Sequence, residues 1–241
     1  MQDEVLKHTK KIYDSVKNNE HGFWEKAREV VVEILIIVFA VTLSIWLHNW
    51  SDHRAEQKAT DEFLSGLRTD LGRDIGTLEG NIKTFREEKA HFQFLLDANK
   101  TKAIDTISEF VIGHHFDFQG RTTLSNNARY EGFKSSGKLG TIEDDSLQQA
   151  ILAYYQESIP GINSMEELED GLQGKLMDAE FNMDPKLSMR EFAKSFKARA
   201  YLDVCVQNLQ DEKDGVIPQY VAAVAEAKAI IQKIDTYLKG R

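Results

Sequence analysis

Eighteen consecutive residues, Val30 to Leu47 (Val-Val-Val-Glu-Ile-Leu-Ile-Ile-Val-Phe-Ala-Val-Thr-Leu-Ser-Ile-Trp-Leu), carry one ionisable side chain among apolar and hydroxyl residues. As an α-helix this run is about 27 Å long, close to the hydrocarbon thickness of a bilayer. Trp24 precedes it, and Trp46 and Trp50 stand at its far end, as interfacial anchors do in the aromatic belts of membrane helices. The spacing predicts a transmembrane helix over residues 30–50, which makes the lipid bilayer the first expected partner. A cleaved secretory signal is the competing reading. Against it, the preceding 29 residues form an unusually long charged region, and no small-residue cleavage pattern follows.

Glu33 is the exceptional residue of the span, because a carboxylate in hydrocarbon is costly and turns toward protein or water. At helical spacing it shares a face with Ile37, Ala40, Ser44 and Leu47. Ala40-x-x-x-Ser44 is a small-x-x-x-small pair that lets helices approach closely, with Thr42 or Ser44 available for hydrogen bonds across the contact. Three readings stay open: an oligomer seam, a carboxylate reaching back toward Arg28 or Lys26, and an ion pathway. In the tail, residues 1–29, Val5, Leu6, Ile12, Tyr13 and Val16 fall roughly on one side and Lys7, Lys10, Lys11 and Lys17 elsewhere. An amphipathic helix on anionic headgroups, a helix packed on a partner, and an extension of the membrane helix all fit that pattern.

Beyond Ser51 the chain is acidic. Of a net charge of −9, the tail contributes nothing, with six basic and six acidic residues, whereas the region from Ser51 onward has 24 basic and 32 acidic ones. That balance argues against nucleic acid, which needs a basic surface. One cysteine, Cys205, excludes an intramolecular disulfide and a cysteine-clustered zinc site, and its neighbours read as a helical core.

From Ser51 to Ala98 no proline occurs. Leu64, Leu71, Leu78, Phe85 and Phe92 recur at strict seven-residue intervals, with Ile75, Ile82 and Leu96 as companions and Arg68 and Lys89 as interruptions. This predicts a long, coiled-coil-like helix whose seam faces either a bundle core or another copy, and which either continues from the membrane helix as one rod or follows it as a separate helix. Gly66, Gly72, Gly76 and Gly80 weaken it or mark close packing. Next come a connecting segment over Ile104–Phe118 with one short helix, a helix over Ser125–Lys134 stopped at Ser135-Ser136-Gly137, and a helix capped by Asp144. Pro160-Gly161 is expected to break that last helix. Apolar stripes then follow at Ile162, Met165, Leu168, Leu172, Leu176 and Ala179, and at Phe192, Phe196, Leu202, Cys205, Val206 and Leu209. A final helix opens at Ile217-Pro218 and carries Tyr220, Val221, Val224, Ile231, Ile234 and Leu238. The expected fold is all-α: one N-terminal transmembrane helix continuing into, or followed by, an antiparallel helical bundle over residues 51–241.

Two stretches carry a resemblance. Glu33-Ile34-Leu35-Ile36-Ile37-Val38, then His48-Asn49-Trp50, then Phe63-Leu64-x-x-Leu67-x-x-Asp70-Leu71 is similar to Gly-Glu-Ile, an apolar span, Asn-Asn-Trp-Asn and a charged helix. Tyr130-Glu131-Gly132-Phe133-Lys134-Ser135-Ser136-Gly137-Lys138-Leu139, with Ile142, Leu147 and Tyr154-Tyr155, is similar to a Leu-Lys-x-Ser-Gly-x-Leu-x-x-Ile segment with paired tyrosines. Together they resemble a family of bacterial single-pass membrane proteins of unknown function. Val32 stands where that family's glycine is usual, and the C-terminal helices lie outside the match. The resemblance implies a bacterial membrane protein and assigns no activity. With five Lys/Arg in the twenty residues before Val30 against three in Ser51–Asp70, the expected placement is the inner (cytoplasmic) membrane, N-terminus cytoplasmic and main domain extracytoplasmic.

Candidate chemistry is sparse. His114-His115-x-Asp117 is the one cluster with metal-ligand residue types, but adjacent histidines do not share a helix face, and structural roles are favoured. Asp144-Asp145 reads as a helix cap. Ser135-Ser136-Gly137-Lys138 lacks the order of a phosphate loop, and no Gly-x-Ser-x-Gly, His-Glu-x-x-His or dinucleotide fingerprint occurs. No catalytic residue, metal or cofactor is therefore expected. Three functions follow: a non-enzymatic membrane-anchored interaction or scaffold protein, homo-oligomeric through the heptad seam and the Glu33 face; an extracytoplasmic sensor with Phe116, Phe118, Tyr154 and Tyr155 lining a pocket and signalling through an unidentified membrane partner; and a channel or channel-accessory subunit using Glu33.

Overall fold

The computed structural model describes residues 2–116, 127–210 and 215–240; along the first helix, side chains are described at Trp24, Arg28 and from Val30 onward. The amphipathic pattern expected in the tail, and Asp117 and Phe118, lie outside the described side chains. The fold is all-α, with no strand among the described residues. Helix α1 runs Gln2–Thr101, and among the described residues seven shorter α-helices follow: α2 Glu109–His114, α3 Ala128–Ser135, α4 Asp145–Ala153, α5 Ile159–Phe181, α6 Met189–Lys194, α7 Phe196–Leu209 and α8 Val216–Lys239. The chain divides into two units, 1–58 and 59–241.

In the first unit the side chains of the apolar segment from Val30 to Leu47 are exposed. Among the described residues it is the helix long and apolar enough to cross a membrane, and none of its most apolar eighteen-residue window is buried. A soluble helix of this composition would be in the core.

The second unit is a bundle assembled around the second half of α1. Leu64, Leu67, Leu71, Leu78, Phe85, Phe92 and Leu95 are all at most 2% exposed, so the heptad face is the inner wall of the chain's own core. Helix α8 runs antiparallel to it: Phe85 meets Tyr220 edge-on at 5.4 Å, Glu79 meets Lys228 at 2.7 Å and Arg68 meets Asp235 at 2.9 Å, one index rising as the other falls. The Arg68 interruption of the heptads is thus a rim ion pair. Helices α4 and α5 run antiparallel to α8 in turn, with Ser146 at Lys233 and Ser158 at Glu226, while α7 packs on α5.

The turn chemistry follows the sequence closely. Gly137 adopts φ +73 after α3, a left-handed conformation that glycine takes without a Cβ penalty. The Ser135 and Ser136 hydroxyls donate back to the Gly132 and Phe133 carbonyls. Asp144 Oδ1 accepts from the Leu147 N–H at 2.9 Å and caps α4.

Three expectations need correction. Pro160 does not break the helix: α4 passes through a π turn, Tyr154–Ser158, into α5, and Pro160 lies in the first turn of α5. The wider turn relieves the clash of the proline ring with the preceding carbonyl and absorbs its missing N–H. The stripe over Ser188–Leu209 is two helices, because extended Ser195 ends α6 and its Oγ caps α7 by accepting from the Ala198 N–H. That turn rotates Phe196 outward to 81% exposure. Leu168 and Val221 are also exposed, and the buried face of α5 instead includes Glu166, Glu169 and Gln173.

Candidate functional site

The apolar face carries the residues chosen from sequence. Glu33 is exposed, and with Arg28, Val32, Ile36 and Ile37 it borders a shallow, open concavity on the helix surface. Ile37 is exposed, as are Ala40 and Ser44 along the same face. The hydroxyls of Ser44 and Thr42 donate to the Ala40 and Val38 carbonyls one turn back. Each satisfies its proton within the helix and keeps only lone pairs for a neighbour. Trp24, Trp46 and Trp50 are exposed, and the Arg54 guanidinium lies 4.2 Å over the Trp50 ring, a cation–π contact that fits a headgroup-level side chain.

The heptad residues Leu64, Leu71, Leu78, Phe85 and Phe92 are fully committed inside the bundle. Of the two roles the seven-residue spacing allowed, the bundle role is the one they occupy, and a contact between copies would need another surface.

The interior holds polar groups that the apolar periodicity hid. Tyr130 stacks on Tyr155 at 4.5 Å, and Tyr155 meets Tyr154 edge-on at 5.0 Å, all three buried. The Tyr130 hydroxyl accepts from Gln156 Nε2, whereas the Tyr154 and Tyr155 hydroxyls are buried with no hydrogen-bond partner. Burial, reinforced by the nearby Asp74 carboxylate, pushes both phenols well above their ordinary value, which keeps them neutral. Next to them Arg129 Nε donates to buried Asp70 Oδ2 at 2.8 Å, and its guanidinium crosses α1 at Gly66, filling the space a Cβ would take. Lower in the bundle, Glu169 accepts from Gln173 and Asn208. Beside it the Cys205 thiol is pushed up to about 12 by burial, then by Glu169 and Glu88, an unreactive core thiol.

The third cluster is of histidines. His91 on α1 lies against both residues of the His114-His115 pair, with ring centres 5.7 and 4.6 Å away, and Phe94 packs on His115 at 4.4 Å. Burial, with His91 and His114, holds His115 below the ordinary histidine value. Adjacent histidines do not share a helix face, the ground on which the sequence favours a structural role for this pair, but the fold brings a third imidazole to both of them from α1, 23 residues before His114. Among the described residues no three metal-ligating side chains already converge as a cage.

No family model, no curated protein and no solved structure matches the chain.

Proposed function

We propose that this chain is a non-enzymatic, membrane-anchored interaction protein of a bacterial inner membrane, held by the helix over residues 30–50 and self-associating through the Glu33 face. The observation that carries the reading is the solvent-bare apolar run of α1, whose large side chains between Val30 and Leu47 are each 41% or more exposed. Free energy of roughly 25 cal/mol per Å² of apolar surface favours covering such a run, and a bilayer is the environment its length fits. The lysine and arginine bias supports an N-terminus in the cytoplasm and a bundle outside it. With the heptad seam occupied inside the bundle, Glu33, Ile37, Ala40 and Ser44 form the remaining face suited to close helix approach.

Light scattering on the full chain in mild detergent tests this. The expected result is one defined oligomer, broken to monomer by Ala40→Leu with Ser44→Leu but not by Val38→Phe on the opposite side of the helix. A folded, strictly monomeric wild-type chain would refute self-association and direct the search to a different membrane partner.

A further inference from the structure

Three imidazoles meet on one side of the bundle with no role in the proposal above. His91 comes from the long helix α1; His114 is the last residue of α2 and His115 its C-cap. Their ring centres form a triangle with sides of 4.6, 5.7 and 6.1 Å. Two features distinguish this from ordinary aromatic packing. His115 Nδ1 is buried with no hydrogen-bond partner, a lone pair or N–H left without the compensation that burial normally demands. His114 is exposed and His91 half-buried, so the open side of the triangle is reachable by a solute.

The dimensions match what a coordinated ion requires. With zinc–nitrogen bonds of 2.0–2.1 Å, three imidazoles on a tetrahedral ion place their ring centres roughly 5 Å apart, and the three observed sides bracket that spacing. The nitrogens do not yet converge on one point, so loading turns the rings; the separation of their centres already fits. The two elements place one ligand on a rigid helix and two across the end of a short one. The adjacency of His114 and His115, which by itself makes no site within one helix, is completed here by His91 from a second element, whose ring lies against both.

We propose that His91, His114 and His115 form a binding site for a divalent transition-metal ion of the zinc class, with three imidazole ligands and a fourth position open to water or to a donor from outside. Three nitrogen ligands suit zinc, cobalt, nickel and copper rather than magnesium or calcium. The site ties α2 to α1, so occupancy would pin the loop side of the bundle.

The probe is Co2+ added to the untagged full-length chain in mild detergent. The expected result is one Co2+ per chain with the strong visible absorption of a four-coordinate ion, displaced by Zn2+. His91→Ala and His114→Ala should each weaken binding by about 100-fold or more, since even a second-shell partner is worth 10–100-fold, while a His48→Ala, His53→Ala double variant leaves it unchanged. His114 is exposed, so His114→Ala decides the matter should His91→Ala fail to fold, as judged by circular dichroism. Absence of the absorption, its persistence in folded His114→Ala, or its loss in the His48/His53 variant overturns the proposal.

Discussion

Replacing the glycines of α1 with alanine one at a time separates a position held open by packing from positions that are merely weak. Alanine is favoured over glycine in a helix interior by about 1 kcal/mol. At Gly72, Gly76 and Gly80 an added Cβ meets nothing within 4 Å, so each change should stabilise by up to about 1 kcal/mol. At Gly66 the methyl takes the place of the Arg129 guanidinium. Arg129 is half exposed and can swing into water, so the cost is not a rigid clash but the loss of its 2.8 Å bond to Asp70, whose side chain is only 10% exposed and would keep Arg73 at 3.6 Å. A charge-assisted bond of this kind is worth about 1.5–3 kcal/mol, with the lower end appropriate because Arg129 is partly solvated. Set against the propensity gain, Gly66→Ala should destabilise by about 1 kcal/mol and sit about 2 kcal/mol below its three counterparts.

For a unit of this size that gap is a melting-temperature difference of about 4–8 °C, readable by far-ultraviolet circular dichroism in mild detergent. In an Arg129→Ala background the obstacle is gone, and Gly66→Ala should become stabilising like the others, a reversal that a double-mutant cycle measures directly. If Gly66→Ala raised the melting temperature as much as Gly76→Ala does, the close passage of Arg129 over α1 would be wrong.

Phe85, 2% exposed and edge-on to Tyr220, should cost about 3–5 kcal/mol when cut to alanine, and a loss under about 1 kcal/mol in a urea titration would contradict a heptad face buried in its own chain. Removing the orphaned hydroxyl with Tyr154→Phe should stabilise the bundle, by about 1 kcal/mol, because a buried unpartnered polar group costs about 1–3 kcal/mol; a clear drop in melting temperature would show that the hydroxyl has a buried partner such as water. With its thiol pushed up to about 12, Cys205 carries a thiolate fraction of roughly one in ten thousand at about pH 8, so iodoacetamide should label it in denaturant and not in the folded protein. Rapid labelling of the native chain would mean that α7 opens.

Local rules carried the sequence reading where both halves of an interaction lie close in the chain. The apolar run of α1, the Asp144 cap and the Gly137 stop each depend on neighbours within a few residues, and each is where the residues indicate. The seven-residue spacing found the right face of α1 but not what covers it, because a heptad seam asks for apolar surface and is indifferent to whether that surface belongs to a second copy or to Tyr220 of the same chain. Pro160 was misread for a related reason: the π turn before it is set by the packing of Tyr154 and Tyr155 into the core, which overrides a local breaker. The groups with most chemical content were the least legible. Glu169 finds Asn208, Asp70 finds Arg129 and His115 finds His91 across 39, 59 and 24 positions, and on a helical wheel each reads as solvent-facing until the fold supplies its partner. A polar residue's place in this bundle is decided by the element packed against it, so the Glu33 face, exposed among the described residues, is where a partner from outside has most to settle.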